Sequence, residues 1–250
     1  MWRAVRRRAI LIVYPPPAGR LRRKGWDRMN EALAYVVAQR MERTAAALRK
    51  NNMEAYCVKT ADEVVPLVKT LLAEGATVGA GGSMTLEECG VMDLLRSGAY
   101  HFLDRGAPGL TPEQVRRVFL DSLSADAYLC SANAVTMRGE LYNVDGNGNR
   151  VAALCYGPAS VIVVAGRNKL VSDLDEAVSR VKRMAAPANA LRLSKETYCA
   201  RTGRCLGLGS PSCTDGCTVP DRICSTYVVH GWQQEKSRIK VILVEEDLGL

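Results

Sequence analysis

Residues 160–166 read SVIVVAG. Val161 to Ala165 form an unbroken apolar run, four of its five residues β-branched, with no polar face. A run this short falls below the roughly ten residues of an ordinary helix, so it reads as a strand buried on both sides. Strands of that kind belong to parallel sheets covered by helices on both faces. The neighbouring segments fit that reading. Further strands are expected at EAYCV (54–58), ATVGA (76–80), YHFL (100–103), AYLCS (127–131), ICSTYVV (223–229) and RIKVILVEED (238–247). Between them, Leu33, Val37, Met41, Ala45 and Leu48 recur at helical spacing over residues 30–50. A second helix is expected through Val64, Val65, Val68, Leu71 and Leu72. Helix starts are marked by Thr85 with Glu88, by Thr111 with Gln114 and Pro112, and by Ser172 with Asp175. Pro187 is expected to close the last of these helices. The expected fold class is α/β, a mostly parallel sheet flanked by helices.

The net charge of +8 belongs to one end of the chain. Nine of the 34 bases and one of the 26 acids fall within residues 1–28, leaving 25 of each for residues 29–250. That second part is expected to be a single domain with no nucleic-acid face. Residues 1–28 read as a basic leader outside it, and Met29 is a candidate start. The leader's apolar run, Ala9 to Tyr14, is shorter than a signal peptide requires and runs into three prolines. No apolar run approaches the roughly 20 residues of a membrane span, and the protein reads as cytoplasmic.

Two segments fall where strands meet helix starts, the usual ligand position in open α/β sheets. In the first, Gly79, Gly81, Gly82 and Ser83 either make a plain turn or let a ligand approach the backbone. Glu87 and Glu88 would repel an anion there. The second, TMRGELYNVDGNGNR (136–150), is expected as a long polar loop between two buried strands. Asn133, Asn143, Asp145, Gly146, Gly148, Asn149 and Arg150 supply more polar capacity than a turn needs, so a ligand cradle competes with a self-bonded loop under a subunit contact. Arg150 is the candidate anion clamp, and Glu140 the candidate acid, base or nucleophile. His101 reads as a core residue and His230 as an exposed turn residue, which leaves no histidine-based triad.

Five of the nine cysteines lie within residues 199–224: Cys199, Cys205, Cys213, Cys217 and Cys224. Their spacing, C-x5-C-x7-C-x3-C-x6-C, matches neither a zinc ribbon nor a bacterial ferredoxin. An iron–sulfur cluster or zinc, reduced bystander thiols and redox disulfides all stay open. Cys57, Cys89, Cys130 and Cys155 read as small core residues.

With these segments in view, the chain resembles the LUD-domain family, named for lactate utilisation. The resemblance rests on VGAGGSMTLEECG, SANAVTMRGELYNVDGNGNRVAA, GPASVIVVAGRNKLVSDLDEAVSRVKRMAAPANALRL, RIC and KVILVEEDLG, and covers nearly all of residues 29–250. It implies a fold like that of sugar-phosphate isomerases and CoA transferases. It also implies a subunit or accessory of an iron–sulfur system that oxidises L-lactate or a related 2-hydroxyacid, working beside separate iron–sulfur subunits and binding a small anionic ligand. Against the isomerases of that superfold, Asn133 stands where a catalytic aspartate is found, and an amide cannot shuttle a proton. Asn143 and Gly146 match the superfold's loop. Cys199, Cys205 and Cys224 fit the family's cysteine pattern, while LGLGSPSCTDG departs from it by insertion. Two alternatives remain beside this expectation: a stand-alone transferase or isomerase acting on a phosphorylated sugar or CoA thioester through Glu140, and a Cys-rich metal-binding regulatory protein. A homo-oligomer is compatible with all three.

Overall fold

The computed structural model describes residues 25–250. Its first half runs α1 (Gly25–Lys50), β1 (Glu54–Val58), α2 (Val64–Leu71), β2 (Thr77–Ala80), α3 (Met84–Glu88), α4 (Val91–Arg96), β3 (His101–Leu103), α5 (Pro112–Asp121) and β4 (Ala127–Cys130). There follow β5 (Ala134–Thr136), β6 (Leu141–Asp145), α6 (Asn149–Cys155), β7 (Ser160–Gly166), β8 (Leu170–Val171), α7 (Leu174–Arg180) and α8 (Ala186–Arg192). The chain closes with α9 (Tyr198–Thr202), β9 (Thr226–His230) and β10 (Ile239–Val244).

Six strands form one sheet in the order β1-β10-β7-β4-β2-β3, and every pairing is parallel. The doubly apolar β7 lies inside it, between β10 and β4. Its alternate residues serve opposite layers. Val161, Val163 and Ala165 pack with Met41, Ala45 and Leu48 of α1. Ile162 and Val164 pack with Val68, Leu86 and Leu95 of the helices on the other face. Each fully buried valine, isoleucine, leucine or methionine among them contributes about 1.5–3 kcal/mol, and a polar residue anywhere in the run would strand itself in a helix-covered layer.

A second sheet, β8-β5-β6-β9, is mixed, with β5 and β9 antiparallel to β6 and β8 parallel to β5. Here the structure corrects the sequence expectations. The stretch 136–150 is no loop between buried strands: it is the end of β5, a tight turn, β6 and the start of α6. VAALC forms α6 because its apolar residues Val151, Ala153 and Leu154 face one side of a short helix. The strand expected at 223–229 forms at Thr226–His230 and pairs with β6, outside the main sheet.

Three helix signals also shift. Ser83, in extended conformation, caps α3 in place of Thr85, whose hydroxyl is buried and committed elsewhere. Asp173 caps α7 in place of Ser172. Pro187 does not end the helix: a π-helical turn over Val181–Ala185 leads into α8, whose first turn tolerates a proline that lacks an N–H. The Thr111–Gln114 capping box forms as expected. On α1, Met41, Ala45 and Leu48 are buried while Leu33 is exposed. Most of the basic leader expected over residues 1–28 lies outside the described residues.

The β5–β6 turn presses against the end of α1. Gly139 holds φ +80°, and a Cβ there would lie 2.5 Å from the carbonyl carbon of Ala47 and 2.6 Å from the Leu48 nitrogen. Asn51 Nδ2 donates to the carbonyls of Arg138 and Gly139, at 2.9 Å each. Gly139→Ala is therefore expected to destabilise the protein by about 2–4 kcal/mol, since backbone cannot yield to the added carbon. Gly98→Ala, with φ +88° but open space around it, is expected to cost only about 1 kcal/mol. Urea denaturation of both variants measures the difference.

Candidate functional site

Because β2, β4 and β7 are parallel, their carboxyl ends deliver three connections to one edge of the sheet: Gly81–Ser83, Ser131–Asn133 and Arg167–Lys169. These segments, the turn after β6 and residues of α8 enclose a cavity of about 370 Å³. That is the position where open α/β sheets hold ligands.

The turn after β6 is organised by Asp145. Its Oδ1 accepts from the backbone N–H groups of Asn147 and Gly148, and its Oδ2 from those of Arg150 and Val151, at 3.1–3.2 Å. The carboxylate thus occupies the start of α6, where free N–H groups and the helix dipole favour negative charge. Gly148 supplies the φ of +82° that this turn requires.

Arg150 projects from α6 across the sheet edge. Nη1 donates to the Ser131 carbonyl (3.1 Å) and Asn143 Oδ1 (2.6 Å), and Nη2 to Asn133 Oδ1 (3.0 Å) and the Val144 carbonyl (2.7 Å). Its Nε lies 3.9 Å from Asp145 Oδ2. All four terminal N–H groups are spent on the protein, so Arg150 offers the cavity its positive field and no open fork of donors. Asn133 Oδ1 also accepts from the Val144 N–H at 2.8 Å, fixing that amide in the wall. Asn143 is fully buried, and its Nδ2 has no partner among the described residues.

The glycines divide by position. Gly82 and Ser83 line the cavity, as do Asn133, Asp145, Gly146, Asn149 and Arg150. Gly81 lets the Arg150 stem pass, since a Cβ would sit 3.1 Å from Arg150 Cδ. Gly79 lies within β2, where a Cβ would meet Ser122 and Tyr128 at 2.8–2.9 Å. It serves packing.

Glu140 is not brought to the cavity. It sits at the opposite end of β6 from Asp145, about 16 Å away along an extended strand. There its Oε2 accepts from Thr136 Oγ1 at 2.8 Å.

The residue that sequence reading missed is Lys169. It is 4% exposed and lines the cavity three residues beyond the end of β7. Nζ donates to Thr85 Oγ1 (2.8 Å) and Ser131 Oγ (2.9 Å). Those hydroxyls donate onward to the Leu248 and Ala132 carbonyls, at 3.3 Å each. No carboxylate pairs with the amine among the described residues. Burial, together with the nearby Arg180 and Arg150, pulls its pKa from 10.5 down to about 7. The available signal was a lysine placed just past the carboxyl end of a doubly buried strand.

Arg105, Arg192 and Lys195 add further positive charge to the lining, against Asp145 as the acidic side chain. The charged side chains lining the cavity are therefore mostly cationic.

The cysteines are all free thiols, Cys199 and Cys205 buried and Cys213, Cys217 and Cys224 half-buried. Among the described residues, no group of three or more Cys, His, Asp or Glu side chains is disposed to hold a metal ion. The five thiols as placed therefore do not form a ready ligand set for a cluster or zinc. Cys155 is exposed, not a core residue. The histidines reverse their expected places. His101 is exposed at the start of the edge strand β3, and His230, ending β9, has both ring nitrogens buried without partners among the described residues. Burial pushes the His230 pKa down.

A family model described as the LUD domain matches residues 41–244. Among solved structures, the chain is similar to a DUF162 family protein from Deinococcus radiodurans, at 18% sequence identity and a TM-score of 0.47, over 83% of this chain and 98% of that one. No curated protein matches. No helix among the described residues is long and apolar enough to cross a membrane.

The depressed Lys169 pKa has a definite sign in stability. Between about pH 7 and 10.5 the unfolded chain holds a proton on this amine that the folded chain has released. Stability contributed by this group therefore rises with pH across that window and is flat below it. The unfolding free energy of the wild type minus that of Lys169→Met is expected to climb from pH 7 upward in denaturant titrations. A difference independent of pH would contradict the assignment.

Proposed function

Since the chain belongs to the LUD-domain family, we propose that its cavity binds a small organic anion of the 2-hydroxyacid class and that Lys169 exchanges a proton with it. The observation that carries this reading is the lining itself, where Arg105, Arg150, Lys169, Arg192 and Lys195 face a cavity whose acidic side chain, Asp145, is already bound to four N–H groups. A carboxylate entering this field replaces its hydration with fixed positive charge.

Lys169 gives the site a reactive group as well as a binding one. An amine with a pKa of about 7 is near half-protonated at neutral pH, the condition under which one group both accepts and returns a proton efficiently. Oxidation of a 2-hydroxyacid to the 2-oxo acid releases two electrons and two protons. Lys169 would take the hydroxyl proton, and the α C–H hydrogen with both electrons would pass to an acceptor outside this chain, supplied by the separate iron–sulfur subunits of a lactate-utilisation system. A transferase or isomerase acting through Glu140 finds no support, because that carboxylate stands away from the cavity.

Thermal-shift and calorimetric titrations with L-lactate, pyruvate and inorganic phosphate test the reading. Stabilisation by L-lactate or pyruvate is expected, and Arg105→Ala and Arg192→Ala are each expected to weaken binding by about tenfold, the loss of one charge-assisted contact. If none of the three anions stabilises the protein at millimolar concentration, the reading fails.

A further inference from the structure

The hydrogen bonds around Lys169 leave one valence of its nitrogen unused. Thr85 Oγ1 and Ser131 Oγ each give their own proton to a backbone carbonyl, so each can only accept from Nζ. A neutral amine has two N–H donors and one lone pair. The two donors are met by the two hydroxyls, and the lone pair is free. The amine lines the cavity, and no carboxylate among the described residues bonds to it to hold it as an ammonium. Arg180 stands behind it, fastened to the Asn133 carbonyl (2.6 Å) and the Asn168 carbonyl (2.8 Å), and adds further positive charge.

We propose that Lys169 is a nucleophile that forms an imine with a 2-oxo acid held in the cavity, an inference that rests on the anion-site reading above. The substrate class follows from the two demands of the lining. The free lone pair calls for an electrophilic carbonyl carbon, and the surrounding cations call for an acid group next to it. Nζ attacks that carbon and forms the C–N bond. The carbonyl oxygen leaves as water, taking the two protons of the amine, and the C=N bond closes. No oxidant or reductant is needed. Protonation of the imine nitrogen then places a positive charge beside the bound carboxylate, which favours the adduct.

The test is reductive trapping on the full chain at pH 7, with pyruvate and cyanoborohydride, read by intact mass and peptide mapping. One reduced pyruvate per chain is expected, on the peptide carrying Lys169, at about tenfold or greater excess over any other lysine. The basis is that an ordinary lysine is neutral about a thousandth as often at this pH. L-lactate, which has no ketone for the amine to attack, is expected to give no adduct, and the uncharged Lys169→Met is expected to lose the pyruvate adduct while keeping the fold by circular dichroism. Labelling centred on Lys195 or spread over surface lysines would overturn the proposal. So would a pyruvate-induced rise in melting temperature with no adduct, which would leave the anion site standing. No adduct and no stabilisation by pyruvate, L-lactate or phosphate would overturn both.

Discussion

The guanidinium of Arg150 is the contact on which the site depends. From the first turn of α6 it reaches the end of β4 at Ser131, the connection at Asn133, and β6 at Asn143 and Val144. Two backbone segments, the Ser131–Asn133 connection and β6, are thereby held against α6 by a planar group whose donor directions are rigid. The arginine is partly buried, and such a charge is tolerated only because its donors are met and Asp145 lies close by. Asp145 in turn is held by the backbone of the helix that carries Arg150. Helix, turn and strand end therefore form one closed loop of hydrogen bonds.

That arrangement has an electrostatic consequence a few residues away. With Arg150 and Arg180 fixed nearby and no carboxylate among the described residues bonded to it, Lys169 sits in a place hostile to a further positive charge. The protein does not neutralise it with an acid. It supplies two hydroxyl acceptors, which suit the uncharged amine, and leaves the positive field to the cavity. In the proposed reading, an anion entering that field meets cations already in position and an amine whose charge the same neighbours disfavour, so binding and reactivity would share one physical cause.

The resemblance to the LUD-domain family and the match of its model over residues 41–244 agree on the chain's kinship. The cysteine segment is the part of that expectation which the geometry leaves unsupported. Its thiols are not gathered into a ligand group among the described residues. Instead the buried Lys182 donates to the carbonyls of Gly207 and Ser212, so part of the segment is held by an ordinary side-chain bond to the π-helical turn.

By itself the sequence determined the main sheet and its covering. A run such as Val161 to Ala165 has no polar face, so it had to lie where helices cover both sides, and its neighbours took the complementary positions. The ligand edge of the sheet followed from that parallel order, and with it most of the cavity's glycine and asparagine lining. What only the tertiary structure decided was the use of each polar group. Arg150 read as an open clamp because sequence spacing shows a charge but not the carbonyls that consume its donors. Glu140 read as reactive because a hairpin and a loop differ in where they put their ends, and the extended length of β6 carried it away from the cavity. Lys169 went unnoticed because its pKa comes from burial and from Arg180 and Arg150, neighbours in space that lie eleven and nineteen residues away in sequence. Hydrophobic periodicity is a local property and survives in one dimension. Desolvation and hydrogen-bond partnership belong to the folded surroundings and do not.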